Sequence, residues 1–318
     1  MDLQLLIDNL TNPALLFFFL GILAVQLKSD LKIPEGSSKF ISIYLIFSIG
    51  FKGGQELSHS PIDNEVIYSM LFGALLASVI PLYAYFILRR KFTTANSAAI
   101  AASYGSVSAV TFVTAISFLE MEGIAFNGHM IAVMAIMEVP AIAVGLLLIS
   151  FFDKEKNENK MIKTIKESLT NGSVLLIVGS LVIGFLASEK QAAGIKPFTT
   201  DIFKGFLAVF LLDMGISSGQ KLKSFLKKGG FAVLFAIVIP IVNGSLTALA
   251  SGLVTDNVGN RFLFAILAAS ASYIAVPAAM RIAAPKANPS LYLPMALAVT
   301  FPFNITIGMP IYLQLIQY

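Results

Sequence analysis

Ala101-Ala102-Ser103-Tyr104-Gly105-Ser106-Val107-Ser108-Ala109 lies inside an otherwise apolar run, and 167 residues further on Ala268-Ala269-Ser270-Ala271-Ser272-Tyr273 opens a second such stretch, which reaches Pro277. Gly/Ser clusters and prolines weaken the helical ladder. At membrane depth such a break is tolerated only where the freed backbone groups face protein or a wet cavity. The break predicts a half-helix whose first N–H groups are unpaired and carry the positive end of the helix dipole. An anion can bind there without a buried lysine or arginine. Ser106 and Ser108 on one segment, with Ser270 and Ser272 on the other, can donate further hydrogen bonds. The same small residues also suit close helix crossing. Their recurrence at matching places favours the binding role over packing alone.

The repetition extends outward. Gly50-Phe51-Lys52-Gly53-Gly54-Gln55-Glu56-Leu57 is matched, 165 residues later, by Gly215-Ile216-Ser217-Ser218-Gly219-Gln220-Lys221-Leu222, with four identities in register. Prolines recur as well, Pro81 with Pro240 and Pro140 with Pro302. Charge-free stretches at 9–27, 66–88, 92–119, 168–188, 229–255, 262–280 and 287–318, with 40–51, 128–152 and 199–220 between them, read as spanning helices. Ten spans use most of the 318 residues, 57% of which are hydrophobic and 13% charged. A large extramembrane catalytic domain is therefore excluded. Because five is odd, the second set of five must enter the membrane from the opposite side. The expected fold is an all-α integral membrane protein of ten transmembrane helices, built as two inverted five-helix repeats, 1–152 and 169–318, whose broken helices cross. Residues 153–168 form the join. There Met161, Ile162, Ile165 and Leu169 share a helical face opposite Lys160, Lys163 and Lys166, which fits an interfacial helix or a solvated linker.

Of the 22 Lys and Arg, 17 fall in connections after odd-numbered spans, which places those connections in the cytoplasm and both termini outside. The start MDLQLLIDNL carries two aspartates and no basic cluster, so the first apolar run reads as a permanent span. The net charge of +4 comes from these connections and indicates no nucleic-acid partner. With no cysteine, disulfides, thiolate metal sites and cysteine nucleophiles are absent. No Walker loop, HExxH or GxSxG occurs, so ATP-driven transport and intramembrane proteolysis lack their usual machinery, and no cofactor is expected.

Two carboxylates interrupt the spans, Glu138 and Asp213, and each needs a cation or a proton at that depth. Glu138 precedes Pro140, which frees a carbonyl one turn back, so carboxylate and carbonyl oxygens can converge on sodium. A neutral, hydrogen-bonded acid or a buried ion pair fits the same pattern. Asp213 reads equally as an ion ligand or a residue near a span end. Thr300, Asn304 and Thr306 match the Glu138 region in the second half and offer neutral oxygens, either to the same ion or to neighbouring helices. Gln55 and Gln220 stand at repeated helix ends and read as packing and capping residues. Arg281 reads as an interfacial anchor or an anion contact, and His59 and His129, far apart in sequence and without ligand-spaced partners, are assigned to no metal.

These residues resemble the sodium-dependent bicarbonate transporters of cyanobacteria and their bacterial relatives. The resemblance rests on Ile33-Pro34-Glu35, Ile49-Gly50-Phe51-Lys52-Gly53-Gly54, Gly105-Ser106-Val107-Ser108, Glu138 with Pro140, Pro277 with Arg281, and Ala287-Asn288-Pro289-Ser290. It implies a fold similar to bile-acid and sodium/proton transporters, trimeric assembly, sodium-coupled uptake of a small anion, and a PII-like cytosolic regulator. The expected setting is the bacterial inner membrane. The expected anion contacts are Gly105, Ser106, Ser108, Ser270, Ser272 and Tyr273, and the expected sodium ligands Glu138, Thr300, Asn304 and Asp213. Tyr273 and Ala275 stand where cyanobacterial members carry an aspartate followed by a serine, and Ala109 and Val276 replace glycines. This leaves open a different anion or a changed ion stoichiometry. A sodium/proton exchanger, a channel and a membrane sensor are the competing readings.

Overall fold

The structure, a computed structural model, describes residues 7, 11–58, 64–152, 172–226, 229–274, 276–277, 279–280, 284 and 286–317. His59, the 153–168 join, Ala275 and Arg281 lie outside the described residues. Every regular element among the described residues is helical. In order these are α1 (Pro13–Gln26), α2 (Glu35–Ser58), α3 (Asn64–Leu88), α4 (Thr94–Gly105), α5 (Ala109–Met121), α6 (His129–Phe152), α7 (Gly172–Leu186), α8 (Glu189–Lys196), α9 (Phe203–Leu226), α10 (Gly230–Ala250), α11 (Val258–Ala269) and α12 (Pro289–Gln317).

Their ends follow from local chemistry. Asn12 caps α1, its side chain accepting the Ala14 N–H at 2.9 Å, and Pro13 occupies the first turn, where a missing N–H costs nothing. Ser188 and Gln191 form a reciprocal capping box on α8. In α12 the ladder loosens into π-helical turns at Met295–Thr300 and Asn304–Gly308, on either side of Pro302. Among the described residues, six segments are long and apolar enough to cross a membrane: α3, α4 with α5, α6, α8 with α9, α10 and α12. α1, Leu175–Leu186 and α11 are shorter apolar helices.

Lipid-facing stripes appear on α3, at Leu71, Leu75, Val79, Leu82 and Phe86, and on α10, at Leu234, Val238, Val242, Leu246 and Leu249, all exposed. Side chains three and four apart share one helix face, and in water such stripes would be an aggregation hazard. The chain is thus a multi-pass membrane protein.

Contacts sort the helices into two groups. α1 packs along α9 and α2 along α7, whereas α3, α4 and α6 pack with one another, α5 with α11, and α10 with α11 and α12. Glycines set the first pair of crossings: a Cβ on Gly21 would overlap the backbone of α9 at Leu212, and one on Gly215 would overlap Phe18 of α1. Gly54 and Gly184 repeat this arrangement between α2 and α7. The second group is tied at both faces by matching asparagine contacts. On one face the Asn127 N–H donates to Asn260 Oδ1 at 2.8 Å; on the opposite face the Asn288 N–H donates to Asn96 Oδ1 at 2.7 Å.

Candidate functional site

Helix α4 stops at Gly105 and α5 starts at Ala109. Between them Ser106 turns to extended backbone (φ −86°, ψ −175°), and Ser108 caps α5, its Oγ accepting the Thr111 N–H at 3.1 Å. α11 stops in the same way at Ala269, with Ser270 extended (φ −81°, ψ 169°). The two interruptions meet. The Ser272 N–H donates to the Ser103 carbonyl at 2.7 Å, and the Ser108 N–H donates to Ser270 Oγ at 3.0 Å, whose own hydroxyl donates to the Leu267 carbonyl at 2.9 Å. Each break therefore satisfies polar groups that the other helix end leaves open.

At this crossing lies a cavity of about 20 Å³, lined by residues 107–110 at the start of α5, by Ser272 and Tyr273, by Glu138 from α6 and by Ile46 from α2. That volume accommodates about one water molecule. The Ala109 and Val110 N–H groups, in the first turn of α5, have no acceptor among the described residues. They supply two donors at the positive end of the helix dipole. Glu138 is 9% exposed, and its Oε2 has no hydrogen-bond partner. A buried carboxylate oxygen left in this state is costly and calls for a proton or a cation. The Tyr273 hydroxyl donates to Met214 Sδ of α9 at 3.9 Å, and its ring meets Phe301 edge-on at 6.3 Å.

Of the residues expected from sequence, Ser108, Ser272, Tyr273 and Glu138 come together in this cavity, and Ser270 adjoins it. Gly105 does not line it; its Cα faces the ring of Pro81, leaving no room for a Cβ. Ser106 Oγ is buried without a partner. Thr300 and Asn304 belong to a separate network. The Thr300 hydroxyl donates to the Ala236 carbonyl at 2.7 Å and lies 2.7 Å from the Tyr104 hydroxyl. Asn304 Nδ2 donates to the Ala269 carbonyl at 2.8 Å, and the Tyr312 hydroxyl, which donates to the Pro240 carbonyl at 2.9 Å, lies 3.3 Å from Asn304 Oδ1. Asp213 sits on α9 and accepts the Ser38 hydroxyl of α2 at 2.5 Å. Gln55 Nε2 donates to Gly184 O and Ala187 O, joining α2 to α7, which agrees with a packing role. His129 begins α6 and is buried there.

Sequence reasoning missed Ile46, Tyr83, Tyr104 and Asn243. Tyr83 donates to Asn243 Oδ1, and Asn243 Nδ2 donates to the Ala268 carbonyl at 3.2 Å. A lone amide in the apolar run 231–242 and beyond was the available signal for Asn243. Ile46 gave none, since it is one of many aliphatic residues in α2.

Lipid-facing helices around two interrupted spans, which cross beside a buried carboxylate, define a multi-pass membrane transporter. The chain belongs to the Na+-dependent bicarbonate transporter superfamily, whose family profile matches residues 13–317. At the level of the family, this means sodium-dependent transport of bicarbonate. No curated protein matches the chain.

Proposed function

We propose that this protein is a symporter that takes up bicarbonate, or an anion of its size, together with sodium by alternating access. The observation that carries the reading is the shared cavity: unpaired N–H groups of α5 and the unpartnered oxygen of Glu138 open into one space. The amides attract an anion, while the carboxylate repels it unless a cation is bound. Sodium on Glu138 removes that repulsion, so each ion raises the other's affinity. A cavity of about 20 Å³ is too small for both, and Ile46 of α2 forms part of its wall. Loading therefore requires α2 to separate from the broken spans.

Matching contacts in the two halves, including the Asn127–Asn260 and Asn96–Asn288 links, support reading the ten apolar stretches as two inverted repeats. On this reading both termini lie outside a bacterial inner membrane, and 153–168 faces the cytoplasm. A homotrimer and a PII-like regulator follow from family resemblance and belong to the same proposal.

Glu138→Gln tests the site. In proteoliposomes the half-saturating sodium concentration should rise about tenfold, corresponding to about 1.4 kcal/mol, and the anion should bind more weakly, with partial rescue by excess sodium. A variant with wild-type sodium dependence at every anion concentration would show Glu138 to be a neutral structural acid. Sodium-driven proton flux without any anion would instead establish an exchanger.

A further inference from the structure

A second cavity opens along the groove between α2 and α5. It measures about 240 Å³, against about 20 Å³ at the crossing, and its wall includes Ile49, Gly53 and Glu56 of α2 with Ile116 and Glu120 of α5. These positions continue the faces that line the small cavity. On α2 the series is 46, 49, 53 and 56, and on α5 it is 109, 113, 116 and 120, both at the three- and four-residue spacing of one helical face. Ile46 and Ala109 line the small cavity, and the later members line the large one. From Ile46 to Gly53 the groove runs about 10 Å along the axis, at about 1.5 Å per residue. On those faces Ile46 and Ile49, with Val113 and Ile116, stand between the two spaces, all four buried in one apolar cluster.

The far end of the large cavity is charged. Lys52, in its wall, donates to Glu120 Oε1 at 3.1 Å, while Lys204 of α9 lies 3.4 Å from Glu120 Oε2. Glu120 thus has a cation on each oxygen. If Lys52 turns away, Glu120 keeps Lys204, and neither charge of the remaining pair is orphaned. The Lys52 ammonium is a mobile point charge with three donors, so it can take a small anion in place of the carboxylate. Its pair with Glu120 is partly solvated, which makes the exchange an easy one. Glu56, also in the wall, opposes an anion and keeps its binding weak. Weak binding suits a place that an ion must leave as well as enter.

We propose that this cavity is the outer vestibule of the transport path, with a transit site at Lys52 where a bicarbonate-sized anion replaces Glu120 before it passes between the four apolar residues to the crossing. The proposal rests on the symport reading and on the orientation given with it, in which the ends of α2 and α5 that carry Lys52 and Glu120 face outward. It goes beyond them by assigning a second anion site.

Ala125, exposed in the vestibule wall, serves as a reporter in this cysteine-free chain. In right-side-out vesicles without sodium, potassium bicarbonate should slow the labelling of Ala125→Cys by an impermeant thiol reagent, relative to potassium chloride at equal pH and ionic strength. The slowing should be about twofold at half-saturation. It should persist when Lys52→Arg is added and disappear with Lys52→Gln. Absence of protection, protection that needs sodium, or protection retained in Lys52→Gln would overturn the proposal. Uptake supplies a second measurement. Lys52→Gln removes the anion's partner and Glu120→Gln releases it, so kcat/KM for bicarbonate should fall severalfold in the first variant and rise in the second. A change of the same sign and size in both would mean that Lys52 serves only to hold Glu120, and would sink the transit site. Uptake that ignores sodium would remove the symport reading, while sodium-free protection of Ala125→Cys would still stand.

Discussion

At Gly105 the last turn of α4 runs against the pyrrolidine ring of Pro81, and a Cβ built there would overlap Cγ and Cδ of that ring. The glycine is therefore required by packing between α3 and α4, three residues away from the cavity edge at Ser108. Gly105→Ala should lower stability by about 1–3 kcal/mol through overpacking, seen as an earlier thermal transition in detergent. Ser108→Ala should act differently. It removes the cap of α5 at a cost of about 1 kcal/mol, leaves the Thr111 N–H open, and takes a hydroxyl away from the cavity wall that Ser108 shares with Tyr273. Its anion affinity should fall severalfold in a folded protein. Equal anion affinity in Ser108→Ala and wild type would place the anion elsewhere. Ser108, Ser272 and Glu138 were legible in the sequence because polar side chains stand out in apolar spans. Thr300 and Asn304 stood out equally. Their pairing was not legible, because Tyr104 and the carbonyls of Ala236 and Ala269 reach them from other helices.

Helices α1 and α9 cross at Gly21 and Gly215, and α2 and α7 cross at Gly54 and Gly184, with backbone meeting backbone at both crossings. The driving force is van der Waals contact, since lipid gives apolar side chains no reason to leave it. The repeated Gly50-x-x-x-Gly54 and Gly215-x-x-x-Gly219 spacings announced such crossings in the sequence, but not their partners. Each partner lies far along the chain: α2 meets α7, and α9 meets α1. Contacts at that separation leave no periodic trace, so the grouping of helices became visible only in the fold. Glycines on α9 provide an internal comparison. Gly215→Val should force α1 away and cost about 1–3 kcal/mol, whereas Gly205→Val, where nothing lies within 4 Å, should be tolerated. Thermal unfolding of both variants in detergent decides this. Equal melting of the two would mean that the α1–α9 crossing contributes nothing to stability.

Over the whole molecule, the group containing α2 and α9 touches the broken spans through few polar links, and one of them is an ion-pair cluster. Glu120, at the end of α5, receives Lys52 of α2 at 3.1 Å and Lys204 of α9 at 3.4 Å. On the proposed orientation, with both termini outside, this cluster lies on the outer face, on the same helix α2 that brings Ile46 to the cavity. With side chains 33%, 34% and 63% exposed, the pairs are solvated and screened, each contributing at most about 1 kcal/mol. That is too little to hold the fold together, yet enough to bias two conformations of similar free energy. If α2 and α9 separate from α5 when the site opens outward, the pairs exist only in the closed state. Losing about 0.5–1 kcal/mol there shifts the ratio of open to closed about two- to fivefold. The absence of native cysteine makes this measurable with a single label. In a Val110→Cys background, Glu120→Gln should speed modification by an impermeant thiol reagent from outside about two- to fivefold. The gain should vanish at about 1 M salt, where screening has already weakened the pairs. Equal labelling rates with and without the carboxylate at low salt would mean that the cluster persists in both conformations, and that α5 moves together with α2 and α9.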